Sequence, residues 1–170
     1  VEVIRAVPSN HPGITPAQRA VGLQALRWRS DVIGLKSGQL LIVTPVSRPG
    51  AIARCLSLGE LVCTTLEGFF AGGTRKRSTR EPLLLLLYPS QEEYQKESAR
   101  GGAHEVLWSA GHYSPSDELS RLFLPADDAG FARVMATFAH ELTHQWIDER
   151  CPYFGFVDRK ASARTPGYWV

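Results

Sequence analysis

The sequence predicts an α+β domain: a small mixed β-sheet with an antiparallel edge strand, packed on two long helices. Three observations lead there. Leu83–Tyr88 is a continuous apolar run of strand length, as expected of a strand buried on both faces. Residues 51–70 repeat apolar side chains at spacings of three and four, the signature of an amphipathic helix. Residues 127–149 form a second long periodic segment that opens with acidic residues, where the helix dipole favours them.

The chain has 170 residues, 44% hydrophobic and 21% charged. That suits one domain able to bury a core without staples. The net charge of +2 is too small to mark a nucleic-acid binder. No apolar run approaches the roughly 20 residues of a membrane helix. Cys55, Cys63 and Cys151 are an odd number, so they cannot all pair within one chain. Cys55 and Cys63 fall two turns apart on one helix, too far for a bond. Either could still meet Cys151, but the simpler role for all three is that of small buried hydrophobes. The chain begins at Val1 with no signal peptide. A leader has been removed or a piece of a longer protein is in hand, and the compartment stays open.

Along the chain, Pro8, Pro12, Gly13 and Pro16 break the first stretch. A short helix is expected over 17–29 and a β-branched strand over 40–46. Ser47 and Pro49 start the helix at 51–70, which Gly72-Gly73 ends. The basic loop at 74–80, with Arg75, Lys76 and Arg77, lacks interleaved aromatics. It reads as a solvated connection rather than a nucleic-acid contact. Ser90 and Glu93 have the spacing of a capping box, opening a helix that stops at Gly101-Gly102. Residues 103–124 read as an antiparallel pair with a turn at 114–117. Residues 1–80 form the N-terminal part of the domain, and 81–170 the part that carries the chemistry.

That chemistry lies in His140-Glu141-Leu142-Thr143-His144. Histidines at i and i+4 project from one helix face one turn apart, so both imidazoles can reach one tetrahedral metal ion. Glu141 falls beside the ion's open position, where it can take a proton from water. The competing reading is a chance match on a solvated helix face, and the helical wheel separates the two. With His140 at zero and about 100° per residue, His144 lies near 40° and Glu141 near 100°. Phe131, Val134, Met135, Phe138, Leu142 and Trp146 lie between about 120° and 240°. The histidines therefore turn away from a thick apolar stripe and are not core residues. Asp148, one turn beyond His144, can orient a ligand imidazole or simply be a solvated residue near the helix end. Trp108 and Trp146 are expected in the core.

A catalytic zinc takes three protein ligands and one open position. The spacing HExxHxxGxxH is excluded, because Ile147 and Arg150 stand where it needs Gly and His. Asp158 is an oxygen donor within the chain, but it lacks the Gly-Thr-x-x-Asp surroundings of the aspartate-ligand zincins. His11, His104 and His112 read more simply as surface or strand residues.

The phrase His140–Trp146 (HELTHQW), the strand LLLLLYPS, the helix QEEYQKE and the strand AGHY resemble the gluzincins. These are the thermolysin-like zinc peptidases of the peptidase-MA clan, and more narrowly a bacterial group of peptidase-MA-like proteins. The likeness covers about Leu83 to Val170. It implies a zincin-like sheet, Zn2+ on His140 and His144, and a third ligand that is a glutamate on a second helix, often within W-x-x-E-G. Trp169 is present and the chain stops one residue later, so that glutamate is expected just past Val170, in a domain truncated at this end. The resemblance also implies an extended peptide or protein substrate paired along the edge strand, with His112 and Tyr113 as candidate contacts and Tyr168 as another. The expected activity is peptide-bond hydrolysis, with residues 1–170 alone expected to hold zinc weakly and to be poorly active for lack of that glutamate. The alternative is an inactive peptidase-like domain that binds a peptide or protein partner. The substrate, endo- or exopeptidase action and the oligomeric state are not readable.

Overall fold

The computed structural model describes residues 1–6, 13–45, 48–71, 82–100 and 108–151. Ten elements follow one another: β1 (Glu2–Ile4), α1 (Pro16–Arg27), β2 (Val32–Ser37), β3 (Leu40–Pro45), α2 (Pro49–Phe69), β4 (Leu83–Tyr88), α3 (Gln91–Arg100), β5 (Gly111–Ser114), β6 (Leu119–Phe123) and α4 (Asp128–Arg150). They make a mixed α/β fold with one six-stranded sheet in the order β1-β2-β3-β4-β6-β5. β3–β4 and β4–β6 are parallel, and the outer pairs are antiparallel. β5 is the expected antiparallel edge, and residues 115–118 form the turn before β6.

The two central strands carry the layers. β3 is buried along its whole length, and β4 has one half-buried residue, Leu84. Successive side chains go to opposite faces. Leu40, Ile42, Leu83, Leu85, Leu87 and Leu122 meet α2 and α4 through Ile52, Leu56, Phe138, Leu142 and Trp146. On the other face Leu41, Val43, Leu86, Tyr88 and Leu119 meet α1 and α3 through Ala17, Val21 and Tyr94. Helices thus cover both faces, whereas the sequence reading set only the two long helices against the sheet. Gly59 lets α2 lie close to the sheet and to α4. A Cβ there would stand 2.4 Å from Leu40 and 3.2 Å from the Phe138 ring.

Local sequence accounts for the helix ends. α1 begins with a full capping box, Thr15 Oγ1 accepting from Gln18 N–H at 3.2 Å and Gln18 reaching back to Thr15 N–H at 3.0 Å. α3 has half of one. Ser90 Oγ accepts from Glu93 N–H at 3.2 Å. The Glu93 carboxylate instead takes the Trp28 indole N–H at 2.8 Å and pairs with Arg29. α2 has Pro49 in its first turn, as expected, but Arg48, in the left-handed conformation (φ 60), holds its N-cap position.

β1 and β2 fill the stretch the sequence left unread. All three cysteines are buried and free. Trp146 is buried as expected. Trp108 is not: it is 80% exposed, on the turn just before β5. Among the described residues, no helix is long and apolar enough to cross a membrane. The basic loop at 74–80, Gly72-Gly73, Gly101-Gly102, His11, His104, Asp158, Tyr168 and Trp169 lie outside the described residues.

Candidate metal centre on helix α4

α4 is held at both ends. Asp127 accepts from Gly130 N–H at 2.7 Å, and Cys151 N–H closes the last turn on Ile147 O at 2.8 Å. Its apolar stripe packs as the wheel requires. Phe131, Val134, Phe138, Leu142 and Trp146 are buried, and Met135 is half-buried against the same core.

Below the histidines a polar anchor fixes the rotation of the helix. Gln145 is fully buried. Its oxygen accepts from Ser120 Oγ at 2.8 Å. Its amide nitrogen donates to Leu84 O at 3.3 Å, Glu118 O at 3.2 Å and Glu149 Oε1 at 2.9 Å. A buried amide needs such partners, and these tie α4 to β4, the β5–β6 turn and β6. Sequence reasoning missed Gln145, although a signal existed. It falls near 140° on the wheel, a polar residue within the apolar stripe.

On the opposite face His140 is exposed and His144 half-buried. Their Nε2 atoms stand 3.0 Å apart, with ring planes at 83°. Two nitrogens on a tetrahedral zinc, each about 2.0–2.1 Å from it, lie about 3.3–3.4 Å apart. The pair fits a shared ion after spreading by a few tenths of an ångström. Without an ion, 3.0 Å suits an Nε2–H···Nε2 hydrogen bond between neutral rings. Burial, with the neighbouring charge of His140, pushes the His144 pKa down. That favours the neutral form a metal requires.

Glu141 is half-buried beside them, and its Oε2 accepts the main-chain N–H of Tyr113 at 2.7 Å. Burial raises its pKa, against the Tyr113 bond and the charge of His140. A carboxylate pushed toward the working pH range is suited to accept and return a proton. The Tyr113 phenol donates to Asp148 Oδ2 at 2.8 Å. Burial first, and then that carboxylate, push the phenol well above its ordinary range.

Of the residues singled out in the sequence, His140, Glu141, His144, Tyr113 and Asp148 come together. Asp148 binds Tyr113 rather than either imidazole. His112 does not join them. It pairs with Arg121 across the strands, while Tyr113 pairs with Ser120, so its ring turns to the α3 face. There Nδ1 meets the Tyr94 hydroxyl at 2.9 Å. The edge strand brings Tyr113 to the site by its main chain and His112 to the opposite core. Besides the ladder to β6, the Gly111 N–H donates to Ser109 Oγ at 3.2 Å and the Tyr113 N–H to Glu141 Oε2. Gly111 is required here, because a Cβ would stand 2.7 Å from Arg121 O and 2.6 Å from Leu122. Among the described residues, no group of three or more His, Cys, Asp and Glu is placed to hold a metal.

His112 has a separate consequence. Burial, and then the charge of Arg121, push its pKa down to about 4. The unfolded chain therefore binds the proton first as pH falls. The stability this neutral histidine carries is whole above about pH 6.5 and is lost between there and about pH 4, up to about 3 kcal/mol. His112→Gln should flatten that part of a stability-versus-pH curve measured by urea unfolding. An unchanged slope would place the acid sensitivity elsewhere.

Comparison of the chain with protein-family models, with curated proteins and with solved structures gave no match. The functional reading therefore rests on the residues and their geometry.

Proposed function

We propose that this domain is a zinc-dependent, zincin-like peptidase of the gluzincin type. The observation that carries the reading is the α4 cluster: two imidazole nitrogens 3.0 Å apart beside a half-buried carboxylate fixed on an edge-strand N–H. His140 and His144 would hold the ion, with a third ligand from outside the described residues, Asp158 being the candidate within the chain. Bound zinc would supply a Lewis acid for the scissile carbonyl and acidify water. Glu141 would take a proton from the attacking water and deliver it to the leaving amine. Tyr113 N–H holds one carboxylate oxygen and leaves the other for the proton. The substrate class is a peptide or an unfolded protein.

The test is cleavage of an unfolded protein such as reduced casein, followed by mass spectrometry of the products. Chelation should stop the reaction and added Zn2+ restore it. Binding of the casein without cleavage, in zinc-loaded protein, would instead support the alternative of a peptidase-like binding domain.

A further inference from the structure

We propose that Asp148 positions Glu141 through Tyr113, and is not an orienting partner of a metal-binding histidine. The functional part of this inference rests on Glu141 being the general base. Tyr113 is anchored to α4 twice. Its main-chain N–H donates to Glu141 Oε2 at 2.7 Å, and its phenol donates to Asp148 Oδ2 at 2.8 Å. The two carboxylates are seven residues apart, two turns of the helix and about 10 Å along its axis. A single tyrosine thus spans the ground between them.

Each contact has a physical reason. The terminal carboxylate torsion of a glutamate is broad and roughly two-fold, so the carboxylate turns easily unless something holds it. One short N–H bond to a charged acceptor is among the stronger neutral-to-ion contacts, and it selects which oxygen stays free. That N–H belongs to the backbone, so its position is the position of β5. Among the described residues, β5 is a four-residue edge strand with only β6 beside it. Short edge strands open easily. The phenol–carboxylate bond is the second tie that keeps the strand against the helix. A half-buried phenol also needs a partner of its own, and Asp148 is placed to be that partner. Loss of either end of the tie should let the Tyr113 amide, and with it the Glu141 carboxylate, drift from register. Misplacement of a reacting group by about 1 Å can cost about 100-fold in rate.

The experiment compares Tyr113→Phe, Asp148→Leu, Asp148→Asn and the Tyr113→Phe/Asp148→Leu double variant of the 170-residue chain. Three quantities are read: hydrogen exchange of the amide at position 113 by NMR, Zn2+ affinity, and kcat and KM on casein. Tyr113→Phe and Asp148→Leu should each speed exchange at 113 about tenfold or more. Each should also lower kcat about tenfold or more, with KM and Zn2+ affinity retained. Asp148→Asn keeps an acceptor oxygen and should stay near wild type. The double variant should be no worse than the poorer single, because both changes cut one tie. Tyr113→Phe keeps the ring and its packing, so it carries the test even where Asp148→Leu fails to fold. Unchanged exchange at 113 in Tyr113→Phe would overturn the proposal. So would weakened Zn2+ binding in Asp148→Leu alone, which would assign Asp148 to His144. A wild-type chain that neither binds Zn2+ nor cleaves casein would defeat the general-base reading. Exchange at 113 would then still decide whether Asp148 and Tyr113 hold Glu141.

Discussion

Glu141→Gln is expected to abolish most peptide hydrolysis, about 1,000-fold in kcat, while leaving Zn2+ content and the fold unchanged. General acid–base catalysis by one positioned side chain contributes about 100- to 10,000-fold, and a factor of 1,000 corresponds to about 4 kcal/mol of transition-state stabilisation. The glutamine amide oxygen can still accept the Tyr113 N–H that now reaches Oε2 at 2.7 Å. It cannot take a proton from water. Zn2+ content should not move, because this residue lies outside the His140–His144 pair. A variant that keeps wild-type kcat would remove Glu141 from the chemistry. A variant that loses Zn2+ as well would make the carboxylate a ligand instead of a base.

The second large effect concerns the opposite face of the same helix. Phe138→Ala should destabilise the domain by about 3–5 kcal/mol, as expected when a buried aromatic ring is removed and a cavity remains. Phe138 is 1% exposed and packs over Gly59, between α2 and the sheet. A domain of this kind has about 5–15 kcal/mol in all, so the thermal midpoint should fall by about 6–20 °C. His140→Ala, two residues away but exposed, should stay within about 0.5 kcal/mol. Urea unfolding of the two variants checks both statements. A loss below 1 kcal/mol for Phe138→Ala would mean that α4 does not bury this stripe.

Both predictions follow from a helix whose two faces were readable in the sequence. Phe131, Val134, Phe138, Leu142 and Trp146 recur at helical spacing, and the structure buries all five. Leu83–Tyr88 was legible for a similar reason, since an unbroken apolar run of strand length has to be covered on both faces. β1 and β2 were not legible. β1 has three residues, and β2 mixes Gly34, Lys36 and Ser37 with its apolar positions. Their pairing depends on β3, which local pattern does not reveal.

The site divides in the same way. His140, Glu141 and His144 stand on one turn of one helix, so a period of 3.6 residues brings them together. Tyr113 and Asp148 are 35 residues apart, and Ser120 and Gln145 are 25 apart. Only the register of β5 on β6 and the docking of α4 bring those pairs together. The same register explains His112. A strand alternates its faces, so two neighbours cannot both turn their side chains to one site. Trp108 misled because its size suggests burial, whereas the turn before β5 leaves it exposed.

The most direct measurement is Zn2+ bound per chain, by elemental analysis after mild purification and again after equilibration with micromolar Zn2+, for wild type and His144→Ala. With Asp158 completing the ligand set, the account predicts a wild-type content approaching one ion per chain in the equilibrated protein, lost in His144→Ala with the fold intact by circular dichroism. Equal and negligible Zn2+ in both proteins would contradict it. His140 and His144 would then be a hydrogen-bonded pair on a helix surface.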